Sequence, residues 1–306
     1  MNLDPQIATL IEALDAGFPP VHTMTGAQAR ATIRSRFVPP TEPEPVADVR
    51  NQTIPGSGGD IPVRIYRPDR PGNLPVLVYA HGGGFVFCDL DSHDELCRDI
   101  TNLISAVVIS VGYRLAPEHQ WPDAAEDVYT AVRWAADNAD VVGGDAESVA
   151  VGGDSAGGNL AAVTALMARD RGGPSLAGQM LLYPVIADDF DNESYRLFGK
   201  GFYNPKPALQ WYWDQYVPAL ADREHPYASP LRANLTGLPP AVVVLAGHDP
   251  LRDEGIAYAD ALEAAGVVTA RCPFEGGIHG FMTMPMLDIA HEARRHACGE
   301  LAQLLR

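Results

Sequence analysis

Residues 148–158 read SVAVGGDSAGG, and the predicted architecture follows from this stretch. Its first half is an apolar run typical of a buried strand, and the helix-forming residues follow without a linker. Ser155 stands at the junction, in a Gly-x-Ser-x-Gly pattern made with Gly153 and Gly157. A serine on so sharp a turn has a strained backbone, and side chains two residues away would collide with their surroundings. The stretch therefore predicts a strand, a tight turn and a helix that hold the Ser155 hydroxyl above a sheet edge.

The pentapeptide alone is weak evidence for a site. Chance would supply Gly-x-Ser-x-Gly about 0.09 times in a chain of this composition, so its context has to support it. A glycine-rich turn that holds a phosphate is the alternative interpretation. The helix predicted over residues 156–171 would place its positive N-terminal end beneath the serine.

Composition and charge exclude several classes of protein. The chain has 306 residues, 46% of them hydrophobic and 20% charged, as in ordinary soluble domains. A formal net charge of −17 argues against nucleic-acid partners and against binding to anionic membranes, since both need a basic surface. We interpret the charge as a solvated acidic surface.

The N-terminus and the cysteines bear on the compartment. Residues 1–5 show no basic region followed by an apolar stretch, and no run reaches the roughly 20 apolar residues of a membrane span. The four cysteines show no C-x-x-C pairing, so we expect them to be reduced: Cys88, Cys97, Cys272 and Cys298. These features predict a cytoplasmic protein without a membrane span.

Strands alternate with amphipathic helices along most of the chain. We predict strands at 61–67, 74–80, 106–113, 148–152, 178–183, 241–246 and 267–274, and helices at 123–138, 156–171, 253–265 and 288–305. Strands separated by helices imply a mostly parallel sheet that is covered on both faces. The fold class is therefore α/β.

Two regions do not fit this alternation. Residues 1–45 are helical and then rich in proline, and residues 185–240 are too long for an ordinary crossover. The second region contains a predicted helix with Asn204 as its N-cap and Pro205 at its first position. This helix carries three consecutive aromatic residues, which suit either a lid over an active site or an ordinary core: Trp211, Tyr212 and Trp213.

A second glycine-rich motif follows the strand predicted at 74–80. Residues 81–84 read HGGG, which chance would supply about 0.008 times in such a chain. A backbone without side chains can turn its N–H groups toward one point, where they and the Ala156 N–H would hold the oxyanion of a tetrahedral intermediate. The alternative is a flexible turn. We interpret His81 as structural and expect Phe85 and Phe87 to line a pocket.

A serine nucleophile needs a base and an orienting acid. His279 lies in a glycine-flanked loop after the last predicted strand, and Asp249 follows the strand predicted at 241–246. Their chain order of Ser, Asp, His is that of α/β-hydrolases, and Pro250 fixes the turn after Asp249. The alternative interpretation of Asp249 is a cap of the next helix. The weaker candidates are His248, His119 and His93 as the base, and Asp253 and Glu254 as the acid. We expect the Asp154 side chain to point away from the nucleophile.

Taken together, these motifs resemble those of the hormone-sensitive-lipase-like esterases, the bacterial family IV carboxylesterases. The matching segments are 81–84 (HGGG), 113–119 (YRLAPEH), 153–158 (GDSAGG), 249–254 (DPLRDE) and 278–281 (IHGF). They span residues from about 46 to the end of the chain. The resemblance implies an α/β-hydrolase fold, with an eight-stranded, mostly parallel sheet, helices on both faces and a helical cap.

The resemblance also implies a division of the chain and a set of roles. Residues 1–45 and 187–227 would form the cap, and residues 46–186 and 228–306 the catalytic core. The implied activity is hydrolysis of short- to medium-chain acyl esters through an acyl-enzyme. The implied site residues are the triad Ser155, Asp249 and His279 and the oxyanion donors Gly83, Gly84 and Ala156, with Gly82 as a further contributor through the loop. We also expect a substrate pocket lined by Phe85, Phe87, Tyr183, Trp211 and Phe281.

Other functions of the same fold remain open at this point. A lipase or an amidase would use the same residues, and a non-catalytic receptor for a small ligand would be expected to lack a triad member. No zinc motif, P-loop or dinucleotide fingerprint is present, so we expect no metal and no cofactor. We expect a small ester as the partner and no nucleic acid, and the sequence allows a homodimer.

Overall fold

The structure is a computed structural model that describes residues 2–305; Met1 and Arg306, at the ends of the predicted cap and core segments, lie outside the described residues. The strands are β1 (Asp48–Ile54), β2 (Ile61–Arg67), β3 (Leu74–Ala80), β4 (Val107–Val111), β5 (Gly144–Asp154), β6 (Gly178–Leu182), β7 (Ala241–His248) and β8 (Thr269–Ile278). They form one sheet in the order β1-β2-β4-β3-β5-β6-β7-β8.

Helices connect and flank these strands. They are α1 (Pro5–Gly17), α2 (Gly26–Arg34), α3 (Asp94–Ile104), α4 (Asp123–Asp137), α5 (Ala139–Val142), α6 (Ala156–Asp170), α7 (Glu193–Phe198), α8 (Lys206–Tyr216), α9 (Leu220–Arg223), α10 (Arg252–Ala264) and α11 (Asp288–Leu304). Short 3-10 helices cover Val21–Thr23, Pro230–Arg232 and Phe281–Thr283. Within residues 2–305, no helix is long and apolar enough to cross a membrane.

Parallel pairing dominates the sheet, as predicted. Strand β3 pairs in parallel with β4 and β5, and the parallel ladder continues through β6 and β7 to β8. Among residues 2–305, the antiparallel pairs are β1–β2 and β2–β4. Strand β1 and helix α3 were not predicted from the sequence. Strand β1 reads DVRNQTI and lies at the sheet edge with several exposed positions, so it lacks the apolar signal of a buried strand.

Both faces of the sheet are covered by helices. On one face, Val128 of α4, Leu160 of α6 and Leu262 of α10 belong to one buried cluster. On the other face, Ile100 of α3 and Leu301 of α11 belong to a second cluster. Burying one aliphatic side chain of this size stabilises a fold by about 1.5–3 kcal/mol. These two layers hold the sheet rigid, and its strand ends can therefore fix functional side chains in position.

The N-terminal segment contacts the insertion between β6 and β7. The Tyr203 N–H donates to Asp15 Oδ1 over 3.1 Å, which ties the insertion to α1. Helix α8 begins later than predicted, because Pro205 and not Asn204 is its N-cap residue. The domain boundaries themselves, including a cap made of residues 1–45 and 187–227, stay a prediction.

Candidate active site

Four loops meet at one edge of the sheet. The HGGG segment follows β3, Ser155 follows β5, Asp249 follows β7 and His279 follows β8. Parallel strands end at the same edge, so these loops converge although they lie far apart in the chain. The register of β7 and β8 pairs His248 with Ile278, and the acid and the base that follow these two residues are therefore neighbours.

The backbone at Ser155 has the strained conformation that its motif predicts. Its φ of 54° and ψ of −117° lie in a region that non-glycine residues rarely adopt. The Ser155 N–H donates to the Leu182 carbonyl over 2.9 Å, which anchors the turn to β6. A Cβ atom at Gly157 would lie 2.0 Å from the Ala80 oxygen, so the turn needs glycine there. The strain is therefore held by the packing of β3, β5 and α6.

The three predicted triad residues form a continuous hydrogen-bond chain. His279 Nε2 lies 2.8 Å from Ser155 Oγ, and His279 Nδ1 lies 2.8 Å from Asp249 Oδ2. A carboxylate can only accept, so Nδ1 carries the proton and Nε2 is left to accept from the serine hydroxyl. Asp249 Oδ1 also accepts from the Leu251 N–H over 2.9 Å. Asp249 therefore holds the turn and orients the histidine, whereas the N-cap residue of α10 is Leu251, which has no side-chain cap hydrogen bond.

The competing residues make other contacts. His93 contacts Asp154, the exposed His119 lies beside Asp123, and His248 contacts the Phe198 and Phe202 rings. Asp253 accepts from the Ser194 N–H, and Glu254 accepts from the Ile186 N–H. None of these contacts reaches Ser155.

The loop after β3 approaches the serine with its backbone. Gly83 and Gly84 have φ values of 109° and 58° and line the cavity above Ser155. Among residues 2–305, no acceptor is found for either N–H, and the Ala156 N–H begins α6, where a helix offers no internal acceptor. The prediction of Gly82 as a third loop donor is wrong, because its N–H donates to Asp154 Oδ1 over 3.0 Å.

His81 is structural, as the sequence analysis expected. Its Nδ1 lies 2.7 Å from the Gly82 carbonyl oxygen, and its own carbonyl accepts from the Tyr113 hydroxyl over 2.7 Å. The His81 and Tyr113 rings stack with their centroids 4.3 Å apart. Burial lowers the pKa of His81 to about 4, so the ring is neutral at ordinary pH. It fixes the loop and holds no charge beside the cavity.

A cavity of about 110 Å³ lies above Ser155. Phe87 lines it, as predicted. The other aromatic side chains in its wall were not predicted as pocket residues. Tyr212 was noted only as part of the aromatic run that suggested a lid. The walls that were missed include Phe18, Cys88, Tyr203, Asn204, Tyr212 and Thr283. They come from segments far apart in the chain, and no spacing in the sequence brings them together.

Comparison with known proteins agrees with this geometry. The model of the α/β-hydrolase fold family matches residues 77–283. The chain belongs to this family. It is 44% identical over 263 residues to the carboxylic ester hydrolase LipN of Mycobacterium tuberculosis, which covers 84% of this chain and 70% of that protein. It is 36% identical over 300 residues to an ethyl acetate hydrolase of Pseudomonas putida, which covers 93% of each.

A solved structure of the same family extends the likeness to three dimensions. The chain superposes on a thermostable esterase from Pseudomonas putida ECU1011 with a TM-score of 0.93 and 36% identity, over all of this chain and 98% of that one. These findings confirm the resemblance to hormone-sensitive-lipase-like esterases and the α/β-hydrolase fold predicted from the motifs.

Four of the predicted pocket residues do not line the cavity. Phe85 is buried, and its ring stacks on Tyr216 with the centroids 4.0 Å apart. The Trp211 ring lies outside the cavity and meets the Tyr212 ring edge-on. The Tyr183 and His279 rings meet edge-on with their centroids 5.2 Å apart, and the Phe281 ring centroid lies 5.9 Å from that of Tyr183. Tyr183 therefore packs against the histidine, and Phe281 packs against Tyr183.

Proposed function

We propose that the protein is a serine carboxylesterase that hydrolyses short- to medium-chain acyl esters through an acyl-enzyme intermediate. The observation that carries this proposal is the hydrogen-bond chain from Ser155 through His279 to Asp249, with both links at 2.8 Å. The family relatives named as ester hydrolases support the same reaction. The substrate is a small ester.

The reaction follows from the protonation states in this chain. His279 Nε2 takes the proton of the Ser155 hydroxyl as the oxygen attacks the ester carbonyl. The Gly83, Gly84 and Ala156 N–H groups stabilise the oxyanion, and one such donor typically lowers the barrier by about 3 kcal/mol. His279 then protonates the leaving alcohol, and an acyl group remains on Ser155. Water that gives its proton to the same nitrogen releases the acid. Asp249 keeps the Nδ1 proton in place throughout.

The size of the cavity supports a short acyl group. About 110 Å³ above Ser155 leaves no room for a long chain that lies entirely inside. A larger groove of about 550 Å³ lies beside it, and Cys88 lines both. We assign the cavity to the smaller half of the ester and the groove to the larger half.

Rates on a homologous series separate this function from its alternatives. We expect p-nitrophenyl esters of two to eight carbons to be hydrolysed faster than those of twelve to sixteen, and faster than the matching amides. A preference for the longest chains would favour a lipase, and faster amide cleavage would favour an amidase. Binding of the esters without any turnover would favour a receptor.

Substitution of the nucleophile is the control for that series. Ser155→Ala should abolish measurable hydrolysis while the far-UV and near-UV circular dichroism stay those of the parent. Ser57→Ala, at an exposed turn between β1 and β2, should retain the parent rate. Undiminished hydrolysis by folded Ser155→Ala would overturn the assignment.

The assembly, the compartment and the lack of a nucleic-acid partner belong to the same proposal. A homodimer is tested by sedimentation velocity at micromolar concentration. A cytoplasmic location is tested by fractionation of the native host. The net charge of −17 supports the absence of a nucleic-acid partner, because a phosphate backbone would be repelled.

A further inference from the structure

Asp154 occupies a buried position between the nucleophile and the glycine loop. Its Oδ1 accepts from the Tyr79 hydroxyl over 2.9 Å and from the Gly82 N–H over 3.0 Å. His93 Nε2 lies 3.2 Å from the same oxygen and 3.3 Å from Oδ2. The carboxylate therefore points away from the Ser155 hydroxyl, as expected from the sequence, but toward the loop that carries Gly83 and Gly84.

The hydrogen bonds keep Asp154 ionised in spite of its burial. Burial by itself would raise the pKa of this carboxyl, but His93 and the donated hydrogen bonds outweigh it and hold the pKa below the ordinary value. Since an ionised carboxylate only accepts, Nε2 of His93 donates to it. The other ring nitrogen of His93 lies 3.0 Å from Ser92 Oγ, so the imidazole is held at both ends.

Gly82 is held at both its N–H and its carbonyl group. Asp154 accepts from its N–H, and His81 Nδ1 lies 2.7 Å from its carbonyl oxygen. A Cβ atom at Gly82 would lie 2.4 Å from Asp154 Oδ2, so the loop and the carboxylate are in direct contact. The Gly82 carbonyl and the Gly83 N–H lie in one planar peptide unit. The orientation of Gly82 therefore sets the direction of the Gly83 N–H and, through the chain that follows, of the Gly84 N–H.

We propose that Asp154, oriented by His93, is a positioning residue that aims the Gly83 and Gly84 N–H groups at the oxyanion. This inference rests on the proposed function of Ser155. The orientation of these N–H groups matters most when negative charge develops on the substrate oxygen. Loss of Asp154 therefore lowers kcat and leaves KM nearly unchanged. A purely structural role would instead weaken ground-state binding and turnover together.

The test compares a ligand that forms an oxyanion with one that does not. An alkyl trifluoromethyl ketone forms a tetrahedral adduct on a serine nucleophile and places its oxygen where the ester oxyanion would lie. The methyl ketone of the same shape binds without forming the adduct to a comparable extent. The inhibition constants of both ketones are measured beside kcat and KM for p-nitrophenyl acetate, in the parent and in each variant.

Asp154→Ala should lower kcat about 100-fold, as expected for misplaced donors, and should weaken trifluoromethyl ketone binding in proportion. The KM and the methyl ketone constant should stay within about threefold of the parent. Asp154→Asn keeps an acceptor oxygen for the Gly82 N–H, so it should recover at least about tenfold of the lost rate. Gln179→Met is the matched control, since it removes a buried hydrogen bond to Pro239 at the opposite end of β6 and should keep the parent kcat.

Two results would overturn the inference while the proposed function stands. One is a folded Asp154→Ala variant with the parent kcat and trifluoromethyl ketone constant. The other is an equal weakening of both ketones. If Asp154→Ala does not fold, His93→Leu serves for the same test. We expect this variant to lose about tenfold in kcat and in trifluoromethyl ketone affinity, while KM and the methyl ketone constant stay those of the parent. A parent protein that neither hydrolyses esters nor binds the trifluoromethyl ketone covalently would overturn the proposed function and this inference with it.

Discussion

Ser155 shows how a single residue depends on its neighbours. Its φ of 54° is unfavourable for a residue with a side chain, and hydrogen bonds at both its N–H and its carbonyl keep it in place. The carbonyl accepts from the Val185 N–H over 3.1 Å, and the N–H donates to Leu182. The position of the Ser155 hydroxyl at the cavity is thus a product of strand packing, and changes that loosen the packing should relax the strained turn.

Gly157 gives the most direct test of that packing. In Gly157→Ala the new Cβ would lie 2.0 Å from the Ala80 carbonyl oxygen, so β3 and α6 would have to separate. We expect the free energy of unfolding, measured with urea, to fall by at least about 2 kcal/mol, together with a loss of activity.

Gly299→Ala is the control for this substitution. A Cβ atom there meets nothing within 4 Å, and Gly299 lies inside α11, so we expect a gain of up to about 1 kcal/mol. Equal stability of the two variants would show that the close approach at Gly157 does not exist.

At the residue level, the motifs predicted the triad but not every donor. Ser155, Asp249 and His279 follow from chain order and strand ends, which a sequence displays. The direction of the Gly82 N–H depends on the Asp154 carboxylate, 72 residues away, and no spacing reveals that contact. Phe85 has the composition of a pocket residue, yet it turns toward Tyr216 because its backbone has a φ of 63°.

At the level of elements, α8 lies against the glycine loop. A Cβ atom at Gly84 would lie 2.4 Å from the Tyr212 ring, and the same ring lines the cavity. The sequence indicated a helix rich in aromatic residues here, but it could not show which of three consecutive rings faces the serine. That choice depends on how α8 rotates against β3 and the loop after it.

Tyr212→Ala should therefore widen the cavity. We compare kcat/KM for p-nitrophenyl octanoate with kcat/KM for p-nitrophenyl acetate. Their ratio should rise at least about tenfold, because the wider cavity accommodates one or more extra methylene groups. Trp211→Ala, next to it on the same helix and outside the cavity, should leave the ratio unchanged. A ratio that shifts equally in both variants would contradict the assignment of Tyr212 to the cavity wall.

Glu254 on α10 links the core to the start of the insertion. Its Oε1 accepts from the Ile186 and Ala187 N–H groups over 2.7 and 3.3 Å. Burial raises the pKa of this carboxyl well above the ordinary value. The folded protein therefore keeps a proton that the unfolded chain releases above about pH 4.5, and this contribution to stability is lost as the pH rises through the folded pKa.

Glu254→Gln removes that titration and keeps an acceptor oxygen. We expect the variant to gain stability relative to the parent as the pH rises from 5 to 8, by up to about 1.4 kcal/mol per pH unit. Urea unfolding at several pH values measures the difference. Exposed Glu12→Gln should show no such trend. Parallel stability curves for Glu254→Gln and the parent would mean that Glu254 is ionised in the folded protein.

For the molecule as a whole, the sequence predicted the layered sheet because seven apolar strands alternate with helices. It did not show the antiparallel edge strand β1, whose polar residues resemble a loop. The meeting of the N-terminal segment with the insertion follows from the family resemblance, which joins residues 1–45 and 187–227 in one cap, and not from a local pattern. That meeting depends on contacts such as the one between Asp15 and Tyr203, 188 residues apart. Contacts so distant in sequence leave no local periodicity.

Cys97, Cys272 and Cys298 are buried packing groups, and the half-buried Cys88 lines the cavity above Ser155. Burial raises the pKa of each to about 12, so none is a thiolate at neutral pH. This leaves a serine as the nucleophile available at the sheet edge.

Labelling by a fluorophosphonate tests the central claim most directly, because the probe reacts with a serine that a histidine has activated. We predict that intact mass spectrometry shows one adduct per chain and that peptide mapping places it on Ser155. His279→Ala and Ser155→Ala should remain unlabelled. Labelling at any other residue, or undiminished labelling of His279→Ala, would contradict the account of Ser155 as a nucleophile activated by His279.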